Sequence, residues 1–564
     1  MFLPRLIAVA VACCLAACDK VQEAPPVAPP HAPPPISGGT LAVDAQGALA
    51  VAADPDRGAI YVVDLKQRKV RHTVEADDEP GRVALSADHA YVALRRSDGV
   101  LAIDLADGTA SRFETCPAPR GLALDGDALY VACAEGTLDT LDAPSGARTR
   151  RVFLDTDLRD VVIAGGAVHV TRFRSAELLT LDADGHVVRR VTPTVGNGMA
   201  PVVAWRTVPL ANGRIAMLHQ RASLAMVRLA EPEAYGTPPE GGCGSLVGGQ
   251  VTVFDAAGES VTRLKIRAPL TVDLAPGESS VGLAVPGSPR EDGQPRFSLI
   301  EPALIDDCAS PFADVPDPVT LAAHQVTAVA RDGQGHLYAQ SREPAALLDG
   351  NGGPPIVLST ASALDEGHEL FHTDAGRGMA CASCHPEGGD DGHVWLFAGH
   401  GLRRTQFLVG GLKGTEPFHW AGDMTDFATL MTEVRERRMG GAPLAPDDGE
   451  ALLDWLDAQP APPAPRLDAA AVTRGRAVFE ATGCAGCHAG VHLTDNLGHD
   501  IGTGRRLQTP ALRGLAYRTG FMHDGCASEL VDRFDPTCGG ATHGAVDALP
   551  AASLADLVEY LRSL

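Results

Sequence analysis

Between Gly39 and about Pro355 the apolar positions come in short alternating runs separated by turn residues, and helical periodicity is absent. The clearest unit ends in aspartate: Ile60-Tyr-Val-Val-Asp64, Val100-Leu-Ala-Ile-Asp104, Leu138-Asp-Thr-Leu-Asp142 and Leu178-Leu-Thr-Leu-Asp182, at spacings of 40, 38 and 40 residues. Another strand precedes each, as in His89-Ala-Tyr-Val-Ala93 and Ala128-Leu-Tyr-Val-Ala132, so the aspartate-ended run reads as the terminal strand of its repeat. A period near 40 with several strands per repeat predicts propeller blades, because a lone four-stranded sheet cannot bury both faces until neighbours stack around an axis. Val251-Thr-Val-Phe-Asp255 fits the pattern, Arg296 to Leu304 fits loosely, and Ala345-Ala-Leu-Leu-Asp349 would close the ring. The expected count is about seven blades, within a range of six to eight left open by the 73 residues between Asp182 and Asp255.

After Pro355 the pattern changes to short helices and loops. Leu364, Gly367, Leu370 and Phe371 fall at helical spacing, and Gly475, Val478 and Phe479 repeat that arrangement. Leu452, Leu453, Trp455 and Leu456 mark another helix, ended by the linker-like Pro460-Ala-Pro-Pro-Ala-Pro465, and Leu554, Leu557, Val558, Leu561 and Leu564 mark a C-terminal one. The expected architecture is a multidomain chain: an all-β propeller over 39–355, then two mainly α domains over 356–463 and 464–564.

Ahead of the propeller, Arg5 and the apolar run Leu6 to Ala17 read as an export signal, too short to span a bilayer. Leu15-Ala16-Ala17-Cys18 resembles the lipobox of bacterial lipoproteins, which implies a signal over 1–18 and a lipidated Cys18; ordinary cleavage after a small-x-small site is the alternative. The Pro-rich stretch within 19–38 would serve as a tether, placing the protein in the periplasm with only its lipid in the membrane. Lys and Arg total 47 against 71 Asp and Glu, a formal charge of -24, which argues against nucleic acid or anionic headgroups as partners.

Of the 13 cysteines, Cys13, Cys14 and Cys18 lie in the leader and four more in two Cys-x-x-Cys-His motifs, leaving six. In an oxidising compartment, proximity in sequence pairs Cys116 with Cys133, Cys243 with Cys308, and Cys526 with Cys538. The motifs are Cys381-Ala-Ser-Cys384-His385 and Cys484-Ala-Gly-Cys487-His488. Two thiols at this spacing form thioether bonds to haem vinyl groups and the following His supplies an axial ligand, so two covalent haem c groups are expected. A zinc site would need four Cys/His ligands and gives no reason for His directly after the second Cys. His400, His393 and Met439 are candidate opposite ligands at the first motif, Met522 and His543 at the second, while His499 and Trp395 are expected to shape the surroundings.

Residues 364–564 resemble the bacterial di-haem cytochrome c peroxidase family, which includes the maturation enzyme of methylamine dehydrogenase. The likeness runs through Gly367-His-Glu-Leu-Phe371, the first motif, Pro417-Phe-His-Trp420-Ala-Gly-Asp423, Leu493 to Gly502, Thr509-Pro-Ala-Leu-Arg513 and Phe521-Met-His-Asp-Gly525. Residues 39–355 resemble YVTN-type propellers. The peroxidase resemblance implies that Trp420 lies between the two haems and that His400 occupies the distal position at the first. It also exposes departures. The peroxide-pocket Gln and Glu correspond to Leu430 and Gly440, the distal ligand of the second haem to Phe534, and a calcium-holding segment to Arg403-Arg-Thr-Gln406, which leaves calcium doubtful. Without the acid-base pair, peroxide cleavage lacks its proton relay. The expected function is therefore electron transfer with a small cytochrome or cupredoxin as redox partner. The alternatives are a peroxide reductase or protein-modifying oxidase, and a binding module in which the propeller captures a partner.

Overall fold

The computed structural model describes residues 31–229, 235, 246–287, 298–300, 308–309, 325–540 and 542–564. The leader with Cys18, and Cys243 with its expected disulfide, lie outside the described residues. Among the described residues no helix is long and apolar enough to cross a membrane.

The first blade pairs Leu41–Val43, Leu49–Asp54, Ala59–Asp64 and Lys69–Glu75 in an antiparallel meander, and later blades repeat that order. Period-two alternation sends neighbouring side chains to opposite faces. Ile60 and Val62 therefore pack with Val83, Ala90 and Val92 of the second blade. Tyr61 and Val63 pack with Tyr338, Leu347 and Ile356 of the last, which closes the ring. Both faces are dry, and that is why these runs read as almost continuously apolar.

Six blades carry four or more strands. The sector between the fifth and the last, Asp273–Pro276, Val281–Val285 and Ser298–Ile300, has three among the described residues. Among the described residues the count of full blades is thus six, not seven. A second correction concerns position within the blade: the aspartate-ended strands are third, not terminal. Their aspartates cap the turn into the fourth strand, Asp64 accepting from the Gln67 amide at 2.8 Å and Asp182 from that of His186 at 2.8 Å. The fourth strands, such as Lys69-Val-Arg-His-Thr-Val-Glu75, have one face in solvent and alternate exposed polar with half-buried residues, so they lack the apolar signal of their neighbours.

The helical region contains α1 (Glu366–His372), α2 (Cys381–Cys384), α3 (Phe427–Leu430), α4 (Pro446–Ala458), α5 (Ala469–Ala481), α6 (Pro536–Gly539) and α7 (Ala551–Arg562). Helix α1 crosses α4 and α5 crosses α7, each at a glycine. A Cβ on Gly367 would strike the Ala451 carbonyl, and one on Gly475 the Asp556 carbonyl. Disulfides join Cys116 to Cys133 and Cys526 to Cys538.

The loop after His385 is locked onto the propeller by buried ions. Glu387 accepts from Arg159 at 2.6 Å and from Ser37 Oγ at 2.6 Å, and pairs with Arg95 at 2.8 Å. Asp390, fully buried, binds Arg174 at 3.0 Å and Arg404 at 2.9 Å. Burial alone would raise the Glu387 carboxyl, but Arg159, Arg95 and Arg120 outweigh it and hold it far below the usual range.

Candidate haem sites

The first motif forms the short helix α2. Ser383 Oγ accepts from the Ala380 amide at 2.9 Å, tightening the turn, and donates to the Pro269 carbonyl at 2.5 Å, tying the motif to the propeller. Cys381, Cys384, Cys484 and Cys487 are free thiols. Burial pushes the Cys381 thiol up to about 11 and Cys384 well above its ordinary value. Cys487, Asp495 and His499 bring ligand atoms within 4.8 Å of one another, but a thioether at Cys487 would leave only two, and His499 is held by Asp495 at 2.7 Å.

Both motif histidines are oriented by a carbonyl. His385 Nδ1 faces the Gly389 oxygen at 3.0 Å and His488 Nδ1 that of Leu493 at 3.1 Å. A carbonyl can only accept, so Nδ1 carries the proton; the Gln406 backbone also lies against the His385 ring and the Pro510 backbone against that of His488. Burial lowers the pKa of both, favouring the neutral ligand form.

The two sites differ on their opposite sides. His543 faces His488 with ring centres 6.3 Å apart and an interplanar angle of 37°. Its Nδ1 is also held by a carbonyl, that of Gly539 at 3.1 Å, and burial, then Arg533 and His488, pull its pKa down to about 3. With metal–nitrogen bonds of about 2 Å, two imidazoles on one iron would place their centres near this spacing. Met522, the other candidate here, has φ of 67°, and among the described residues no ring or hydrogen-bond contact joins it to His488. Phe534 lies under Arg533 at 4.3 Å and packs in the C-terminal cluster.

At the first motif, Cys381, Cys384 and His385 line a mainly apolar cavity of about 300 Å³. His400 lines it too, exposed at the rim, and Met439 lines it from a buried position against Ala375 and Met379. His393 is turned away: its Nε2 faces the Ser223 carbonyl at 3.1 Å and its ring packs on Trp395, whose Nε1 donates to Thr405 at 3.0 Å. Arg403, Arg404, Arg513 and Arg518 also face the cavity, supplying cations suited to haem propionates. Free thiols, a prepared imidazole, apolar walls and arginines together fit the group.

Trp420 bridges the two helical regions. Its Nε1 donates to the Arg404 carbonyl at 2.7 Å, its own carbonyl accepts from the Gln508 amide at 2.9 Å, and its ring lies 6.3 Å from that of His523. Leu430 lines the cavity and Gly440 does not. The sequence reading missed His419 and Asp423, which form a pair at 3.4 Å on the cavity wall. The signal was their spacing of four residues around Trp420.

The C-terminal region is that of a c-type cytochrome, carried behind a β-propeller. Residues 472–564 match the cytochrome c family, which implies covalently bound haem c and haem-based electron transfer for this domain. No curated protein matches the chain. Among solved structures, a Kuenenia stuttgartiensis hydrazine synthase chain is 18% identical, with 58% of this chain and 98% of that one covered and a TM-score of 0.42. A second chain of that organism, from hydrazine synthase pressurised with xenon, is 24% identical, covering 35% and 86%, with a TM-score of 0.32. A streptogramin B lyase is 10% identical, covering 56% and 93%, with a TM-score of 0.37.

Proposed function

We propose that the chain is a periplasmic, lipid-tethered di-haem cytochrome of the di-haem peroxidase type that transfers electrons to or from a small cytochrome or cupredoxin, with the propeller as docking platform. The observation that carries this reading is the facing pair His488 and His543, each with Nδ1 held by a carbonyl. Two neutral imidazoles fixed in this way suit an iron that exchanges electrons without changing ligands. Bound haem supplies reversible one-electron exchange. The protein holds the axial imidazoles, surrounds the first motif with apolar side chains, offers arginines to propionates, and sets Trp420 between the two regions.

The test is spectroscopic. A pyridine haemochrome assay should find two covalent haems per chain, and His543→Ala should convert one of the two from low to high spin. Extractable haem, a single haem, or an unchanged spectrum in His543→Ala would sink the reading. Cys18→Ala should release the protein from the membrane fraction, since the acyl chains supply the anchoring.

A second reading, a peroxide reductase, is favoured by the first-motif cavity together with His419 and Asp423, which could move protons where Leu430 and Gly440 cannot. Under the leading reading, hydrogen peroxide turnover with a reduced cytochrome donor is negligible. Sustained turnover lost in His419→Ala by about 100-fold or more would put the second reading first.

A further inference from the structure

A second cavity, of about 80 Å³, lies where the propeller mouth, the loop after His385 and the linker around Pro460 meet. Five arginines line it: Arg95, Arg96, Arg120, Arg159 and Arg174. Only three carboxylates line it with them, those of Glu79, Asp157 and Glu387. Arg159 and Arg95 share Glu387 at 2.6 and 2.8 Å, and Arg174 takes Asp157 at 2.5 Å. Arg96 has Glu79 at 3.7 Å and donates to the Pro460 and Ala461 carbonyls.

Arg120 is left over. Its hydrogen bond goes to the Arg95 carbonyl at 2.9 Å, and among the described residues no carboxylate pairs with it. Burial, and then Arg95 beside it, pull its pKa down to about 9, although Glu387 and Glu79 act on it without a hydrogen bond. Arg95 Nε is buried with no hydrogen-bond partner among the described residues. The lining thus carries two positive charges more than negative ones, and of these arginines Arg174 is also met from outside the lining by Asp390 at 3.0 Å. Buried guanidinium groups are normally paired, and their planar fork fits carboxylates and oxyanions.

We propose that this cavity binds a small oxyanion group on Arg120, with Arg95 beside it. The group is either a free inorganic oxyanion or a haem propionate from the first motif. A free anion would lie against the loop that carries His385. On the di-haem reading, on which this consequence and the propionate source both rest, its arrival stabilises the oxidised state and lowers the first haem's reduction potential.

The test uses the full-length, haem-loaded protein. Inorganic phosphate and nitrate are titrated calorimetrically against chloride at matched ionic strength, and thermal midpoints and haem potentials are recorded in parallel. If the source is a free anion, either oxyanion raises the midpoint of the wild type by mass action, Arg120→Gln weakens binding tenfold or more, and Arg120→Lys weakens it less. If the source is a propionate, added anions do nothing, but Arg120→Gln and Arg120→Lys both alter the pH dependence of the first haem's potential. A wild type indifferent to anions, with potentials unaltered in both variants, overturns the proposal. Arg120→Lys keeps the charge and so stays informative if Arg120→Gln fails to fold. The calorimetric readout does not require two haems, so failure of the di-haem reading and failure of this one are distinguishable.

Discussion

The two Cys-x-x-Cys-His motifs share a chemistry but sit in opposite settings. The first is built into the seam with the propeller: Ser383 is bonded to Pro269, and Glu387 and Asp390 are buried among arginines. The second belongs to a compact helical unit of its own, where α5 crosses α7 and Phe479, Leu515, Leu557 and Leu561 make a separate core. The first has an apolar cavity opposite its histidine, and the second has His543. The same five-residue motif can thus be tuned by what encloses it. A ring of buried ions borders a cavity at the first, and a facing imidazole stands opposite the histidine of the second.

The sharpest way to break this contrast is Glu387→Gln, which strands Arg159 and Arg95 without their carboxylate. Removing one member of a buried ion set costs about 3–5 kcal/mol, and denaturant unfolding should show the loss while the second motif's spectrum is unchanged. The pH dependence has a definite sign. Glu387 has a folded pKa far below 4.5, so its contribution is fully present above that value and fades as pH falls below it. Equal disturbance of both motifs would mean that they are not separately supported.

Replacing Cys526 and Cys538 by Ser tests the second region alone. The bridge spans 12 residues, and its loss should cost about 3 kcal/mol, read as a lowered thermal transition of the C-terminal unit with the propeller transition unmoved.

Asp391→Asn sharpens the first-motif side in the opposite direction. Asp391 is fully buried, one of its oxygens has no partner, and burial raises its pKa to about 7. The unfolded chain loses this proton near 3.8 and the folded one near 7, so the folded state is penalised increasingly across that window. The variant should match the wild type at pH 3 and be more stable at pH 8, by a few kcal/mol at most. A destabilised variant at pH 8 would show that Asp391 is held ionised. The smallest expected effect is Gly475→Ala, which crowds the α5–α7 crossing and should cost about 1–3 kcal/mol, confined to the second region.

Much of this was legible in the chain because it depends on local periodicity. Alternation at period two, a recurring aspartate at the strand end and a repeat near 40 residues specify stacked sheets, although the aspartate-ended strand proved to be third in its blade and not last. The Cys-x-x-Cys-His spacing specifies attachment because both thiols and the imidazole come from one short turn. Gly367 and Gly475 stood at matching places before the motifs, and each allows a helix crossing.

Other features were decided by tertiary structure. The fourth strands carry polar residues on an exposed face, so their place in the blade became visible only once pairing was known. Between Met522 and His543 sequence offered no choice; packing turns the His543 ring to His488, held by the Gly539 carbonyl. Glu387 reads locally as a loop acid two residues past a ligand, yet its partners are Arg95 and Arg159, brought from two different blades. Sequence fixes what is set by neighbours along the chain, namely strand alternation, turn chemistry and covalent attachment. The ion ring and the second cavity arise from residues hundreds of positions apart, whose meeting depends on ring closure and on the docking of one region against the other, and the facing imidazoles from the folding of the C-terminal unit.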